Sequence, residues 1–135
     1  MHTFSEITEL SIAALVDRFY SKARRDPVIG PVFNEAIDNW DEHLAKLRAF
    51  WSSVMLTSGR YKGNPIAAHM KLPIEPAFFD TWLSLWCETT TELFAPETAL
   101  HFREKARRIA ESLKLGLFFR PGSNGSGAAM TRRPS

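Results

Sequence analysis

The chain has 135 residues, the size of one domain with one core and room for one large ligand. A hydrophobic content of 44% beside 24% charged residues is that of an ordinary globular chain, and no apolar run approaches the ~18 residues needed to span a bilayer. The net charge of +2 does not mark a nucleic-acid module: Arg120, Arg132 and Arg133 lie in a tail without acids, which leaves residues 1–119 at −1.

The single Cys87 excludes an internal disulfide framework and reads as a small hydrophobe on an apolar helix. The N-terminus lacks the basic start and unbroken apolar run of a secretory signal, so the expected location is cytoplasmic, with no membrane partner.

Helical periodicity dominates the chain. Over residues 8–26, Ile12, Leu15, Val16, Phe19 and Ala23 form one stripe with Tyr20 at its edge, and Pro27 closes the pattern. Gly30 and Pro31 open a short helical turn carrying Phe33. A second long helix, residues 38–58, starts at a capping Asp38 or Asn39. It places His43, Leu47, Phe50 and Val54 on one face, flanked by Trp40 and Trp51, with Arg48 and Ser52 opposite. Ser58-Gly59 is its expected stop.

Residues 59–65 form a loop, and Pro65 and Pro73 fence a short segment that carries His69. Pro76 begins a helix to about Phe94 with Phe79, Trp82, Trp86 and Leu93 along one side. Pro96 begins another to about Phe118 with Ala106, Ile109, Leu113 and Leu117 inward and a charged outer face. From Arg120 the composition turns to Pro, Gly, Ser, Asn and Ala, so residues 120–135 are expected to be a disordered tail to a domain over 1–119. The expected class is all-α.

Two histidines carry the strongest chemical signal. A neutral imidazole is a good iron ligand, and the proline-fenced segment around His69 restricts the backbone as a fixed ligand requires. His43 would put one polar group over the centre of a flat ligand that Leu47 and Phe50 cover with apolar atoms. Taken alone, either histidine is more often an ordinary surface or core-edge residue. Tyr20 and Trp82 offer an O–H and an N–H that need partners when buried. Phe33 is placed to wedge against a flat ligand, and Lys46 to reach a carboxylate at its edge. Arg60, Tyr61 and Lys62 are similar candidates in the loop near His69. Dinucleotide, P-loop, CxxC, HExxH and GxSxG motifs are absent from the sequence.

In order and spacing these residues resemble the group III truncated haemoglobins, shortened globins of bacteria. The match covers about Leu10 to Leu117. It is carried by Phe19-Tyr20, Gly30-Pro31-Val32-Phe33, Trp40 through His43, Phe50-Trp51, Tyr61-Lys62-Gly63-Asn64-Pro65, His69 with Leu72-Pro73-Ile74, and Phe79 through Trp86. The Gly-Gly motifs of groups I and II are missing, as they are in group III.

The resemblance implies a trimmed globin fold, two helices packed over two around haem b. It implies His69 as the proximal iron ligand, with Tyr20, His43 and Trp82 on the distal, ligand-stabilising side and Phe33 bracing the haem. Leu47 is implied one turn after the distal histidine, and Lys46, Phe50, Trp51 and Tyr61, read from their placement around His43 and His69, complete the candidate haem pocket. The partners are then diatomic ligands (O2, CO, NO) and an unidentified reductase, in a monomer or weak dimer. A donor-rich distal side is expected to hold oxygen tightly, for redox or detoxifying chemistry rather than transport. The alternatives are a haem enzyme with peroxidase or nitric oxide dioxygenase activity, and a haem-free helical interaction module.

Overall fold

The computed structural model describes residues 3–65, 69 and 74–118; the tail expected over 120–135 lies outside them. The described residues form five helices: α1 (Glu9–Ala23), α2 (Gly30–Ala36), α3 (Trp40–Leu56), α4 (Pro76–Leu93) and α5 (Pro96–Phe118). Helix α1 packs on α3 and on α4, and α4 runs along α5, so two helix pairs lie across one another. No strand occurs among the described residues. A lone bridge between Phe4 and Phe94 ties the N-terminal segment to the α4–α5 corner, with Thr98 donating to the Ser5 carbonyl beside it.

Local chemistry sets the helix ends. At the start of α1 the Thr8 hydroxyl accepts from the Ser11 amide while Ser11 Oγ accepts from the Thr8 amide, a capping box that leaves neither donor orphaned. Asn39, rather than Asp38, caps α3 through the Glu42 amide at 3.1 Å. Helix α3 ends two residues before the expected glycine stop, at Leu56. Thr57 takes the left-handed conformation there at φ 52°, although Gly59 is nearby with φ 73°. Pro76 and Pro96 each occupy the first helical position, where a missing N–H costs nothing.

The core is aromatic. Phe19, Trp51, Trp86 and Phe102 are fully buried. Trp86 stacks on Trp51 with centroids 4.4 Å apart and on Trp82 at 5.5 Å, and Phe19 meets Trp86 edge-on at 5.0 Å. Trp86 Nε1–H donates to the Phe102 carbonyl at 3.2 Å, which satisfies the one polar atom of the ring. Thr89 and Thr90, also buried, return their hydroxyls to carbonyls one turn earlier in α4.

The face of α3 opposite His43 is not a solvated one, because it docks on α1. Ser52 is fully buried, its hydroxyl donating to Glu9 at 2.6 Å, and Arg48 reaches Asp17 at 2.7 Å. Cys87 is only half-buried, since it faces the edge of α4 rather than the core.

Gly30 marks a close approach between the start of α2 and the end of α1. A Cβ there would lie 2.7 Å from the Arg24 carbonyl oxygen. Gly30→Ala is therefore expected to destabilise the fold by about 1–3 kcal/mol, read as a lower urea midpoint with an unchanged slope.

Candidate functional site

Between the two helix pairs lies a cavity of about 740 Å³ with a mostly apolar lining. That volume is in the ~300–1,000 Å³ range of small-molecule and cofactor sites. Ile29, Val32, Phe33 and Ile37 form its wall at α2, and Phe78, Phe79 and Trp82 of α4 form another. Ile109, Ala110 and Leu113 of α5 close a third side. Helix α3 contributes the face His43, Leu47, Phe50, together with Lys46 and Trp51.

All ten site residues expected from the sequence line this one space: Tyr20, Phe33, His43, Lys46, Leu47, Phe50, Trp51, Tyr61, His69 and Trp82. The sequence reading missed the contributions of Ile29, Val32, Ile37 and Phe78. It took Phe79, Ile109 and Leu113 only as inward core positions. Apolar residues facing a ligand and apolar residues facing a neighbouring helix carry the same periodic signal, so periodicity alone could not separate them.

The polar groups are few and each is placed by the backbone. His69 Nδ1 lies 2.6 Å from the Pro65 carbonyl oxygen. A carbonyl only accepts, so Nδ1 carries the proton and Nε2 keeps a free lone pair. This is the arrangement in which an imidazole serves as a metal ligand, its outer nitrogen fixed by a second bond.

Tyr20 is buried at the end of the α1 stripe, wedged between Phe33, Trp40 and His43 with ring centroids 5.6–6.2 Å away. Burial pushes its phenol up to about 12, and a hydrogen bond from Trp82 pulls weakly the other way. The phenol therefore keeps its proton and can donate it. Tyr20 is neutral at any physiological pH.

His43 is half-buried. Burial first, then the Lys46 charge and the His69 imidazole, hold its pKa below the usual histidine value. Tyr61 sits edge-on to Phe50 at 5.2 Å, its amide donating to Ser53 Oγ at 2.9 Å. Gly63 makes room for its hydroxyl, since a Cβ at position 63 would lie 2.5 Å from that oxygen.

Three exposed cations, Lys46, Arg60 and Lys62, stand at the cavity's edge. Arg60 is tied to Glu9, the same carboxylate that accepts from Ser52. Among the described residues no cluster of His, Cys, Asp and Glu forms a metal site by itself.

Comparison with known proteins decides the family. No family model matches the chain. The group 3 truncated haemoglobin of Campylobacter jejuni is 37% identical over 120 residues, which cover 85% of this chain and 94% of that protein. The crystal structure of a group III truncated haemoglobin from the same organism superposes with a TM-score of 0.83 at 35% identity, covering 90% of this chain and 99% of the other.

The chain belongs to the group III truncated haemoglobins. The all-helical class and truncated globin fold expected from the sequence are those observed. The polar side chains expected from the sequence, Tyr20, His43, Lys46, Tyr61, His69 and Trp82, all line the same cavity of this truncated haemoglobin. No helix among the described residues is long and apolar enough to cross a membrane.

His43 carries a pH signature. In cofactor-free protein its ring protons, followed by NMR, should titrate below the ~6.5 of an unperturbed histidine. Lys46→Ala should move that titration part of the way back up, because burial remains. The sign for stability follows: below about pH 6.5 the unfolded chain takes up the proton first. The His43 contribution is therefore present above that pH and is lost as pH falls towards the folded value.

Proposed function

We propose that this chain binds haem b in the cavity between its helix pairs and uses it to hold diatomic gases, oxygen above all. The observation that carries the reading is His69, whose Nδ1 is held by the Pro65 carbonyl so that Nε2 of the neutral ring could ligate iron. The surroundings fit the group. The walls are apolar and aromatic, which suits a flat macrocycle, and Lys46, Arg60 and Lys62 at the edge suit its two carboxylates. Cys87, the only cysteine, does not line the cavity, which supports a non-covalent haem of the b type.

When bound, haem supplies an iron with one open position for oxygen, carbon monoxide or nitric oxide. The chain's own residues then decide which gas stays. Tyr20, kept protonated by burial, would offer its O–H to a bound gas. His43, kept neutral by burial and by Lys46, offers a second donor on the same side. These donors favour oxygen over carbon monoxide, because oxygen takes on more negative charge at its outer atom. Each bond contributes about 0.5–1.5 kcal/mol, and two good bonds slow oxygen release roughly a hundredfold. Phe33, Leu47, Phe50 and Trp51 exclude water and keep those bonds in a low dielectric.

A ligand held this firmly suits chemistry on reactive small molecules better than transport. A reductase-linked nitric oxide dioxygenase or a peroxidase uses the same pocket, and sustained turnover with reductant would mark it. We place the domain over residues 1–119.

The decisive measurement is the visible spectrum of the reduced protein with and without carbon monoxide. The expected result is a sharp Soret band that shifts with carbon monoxide and is lost or displaced in His69→Ala; a protein that stays colourless when haem is supplied overturns the reading. Tyr20→Phe should speed oxygen dissociation about tenfold, the loss of one good bond, measured by stopped flow. An unchanged rate would remove Tyr20 from the ligand's surroundings.

A further inference from the structure

The four tryptophans of the chain belong to one run of neighbouring rings. Trp86, fully buried, lies nearly parallel to Trp82, at 5.5 Å and 9°, and to Trp51, at 4.4 Å and 22°. Trp82 and Trp51 both line the cavity, so the stack begins and ends at its wall. Trp40 stands apart from the stack, with the rings of His43, Tyr20 and Phe33 at 5.6, 6.2 and 6.4 Å. Core packing needs burial but not near-parallel indoles, and edge-on contacts are the rule elsewhere in this core.

Indole gives up one electron more readily than any aliphatic or phenyl side chain, and two parallel indoles share the resulting vacancy and lower its energy. The surroundings then sort the four rings. The Arg24 guanidinium sits 4.3 Å above Trp40 and opposes a positive charge there. Trp86 instead donates its N–H to the Phe102 carbonyl, a bond that strengthens as the indole becomes positive. A carbonyl cannot take the proton away, so the oxidised ring keeps it.

We propose that the Trp51–Trp86–Trp82 stack is an internal one-electron donor to the cavity, filling the electron demand when a peroxide is reduced there. The proposal rests on the haem reading above. Reduction of one peroxide to two waters breaks the O–O bond and consumes two electrons and two protons. Both electrons leave the stack through Trp82, one at a time; the protons come from solvent. No bond of the indole forms or breaks, and after the first transfer Trp86 is left as a radical cation. An external one-electron reductant of the ascorbate class refills the stack after each transfer, two reductants per peroxide. The stack thereby spares Tyr20 and His43, which face the same space.

The test is electron paramagnetic resonance of the haem-loaded full chain, frozen within milliseconds of mixing with equimolar hydrogen peroxide. The expected result is an organic radical whose signal narrows when the chain carries ring-deuterated tryptophan. It is lost in Trp86→Phe and retained in Trp40→Phe. Deuterium narrowing and Trp40→Phe leave the core intact, so they decide the matter even where Trp86→Phe does not fold. In protein with a normal Soret band, the absence of an organic radical, a signal indifferent to deuterated tryptophan, survival in a folded Trp86→Phe, or loss in Trp40→Phe overturns the proposal alone. Wild-type protein with no Soret band overturns the haem reading and this proposal together.

Discussion

The fold depends on Trp86 held flat between Trp51 and Trp82. This small chain must keep a space of about 740 Å³ open between its helices, whereas protein interiors tend to close to crystal-like density. Flexible aliphatic side chains would lean into such a space. Stacked indoles resist this, because each ring has only two side-chain torsions and Trp86 backs both Trp51 and Trp82. The stack joins α3 to α4, and the Trp86 N–H joins α4 to α5. One cluster therefore sets the distance between the helix pairs and forms part of the cavity wall.

Against that rigid apolar frame, each polar group is positioned by a neighbour that takes away its alternatives. Pro65 occupies one nitrogen of His69, burial keeps the Tyr20 phenol protonated, and burial together with Lys46 lowers the pKa of His43. Glu9 bridges buried Ser52 and exposed Arg60, which ties the cavity's edge to the first turn of α1. Fixing which proton goes where matters more than adding bonds, because a hydrogen bond's net worth in a protein is small while its direction is absolute.

Much of the site was legible before any coordinates. His43, Leu47 and Phe50 share a face by helical spacing alone, and the prolines around His69 marked a segment unlike the long helices. The ten candidate residues, six of them given roles by the family resemblance and the rest by their placement, all reach the cavity. What spacing could not reveal was direction. Ser52 and Arg48 were read only as the far side of α3, yet Ser52 is fully buried, because α1 docks on that face. The α3 stop fell on Thr57 rather than at Ser58-Gly59, since local backbone strain at one threonine was tolerated where the helix had to turn.

The sequence by itself determined the helical class, the order of the elements, the capping chemistry and which histidines and aromatics were available. These follow from local rules: periodicity, proline geometry and side-chain donors close in sequence. Only the tertiary structure decided that Trp86 spends its N–H on the Phe102 carbonyl, that three of the four tryptophans stack, and that Arg24 covers the fourth. Those contacts join residues far apart in the chain, and their geometry is set by how whole helices pack, which local spacing does not encode.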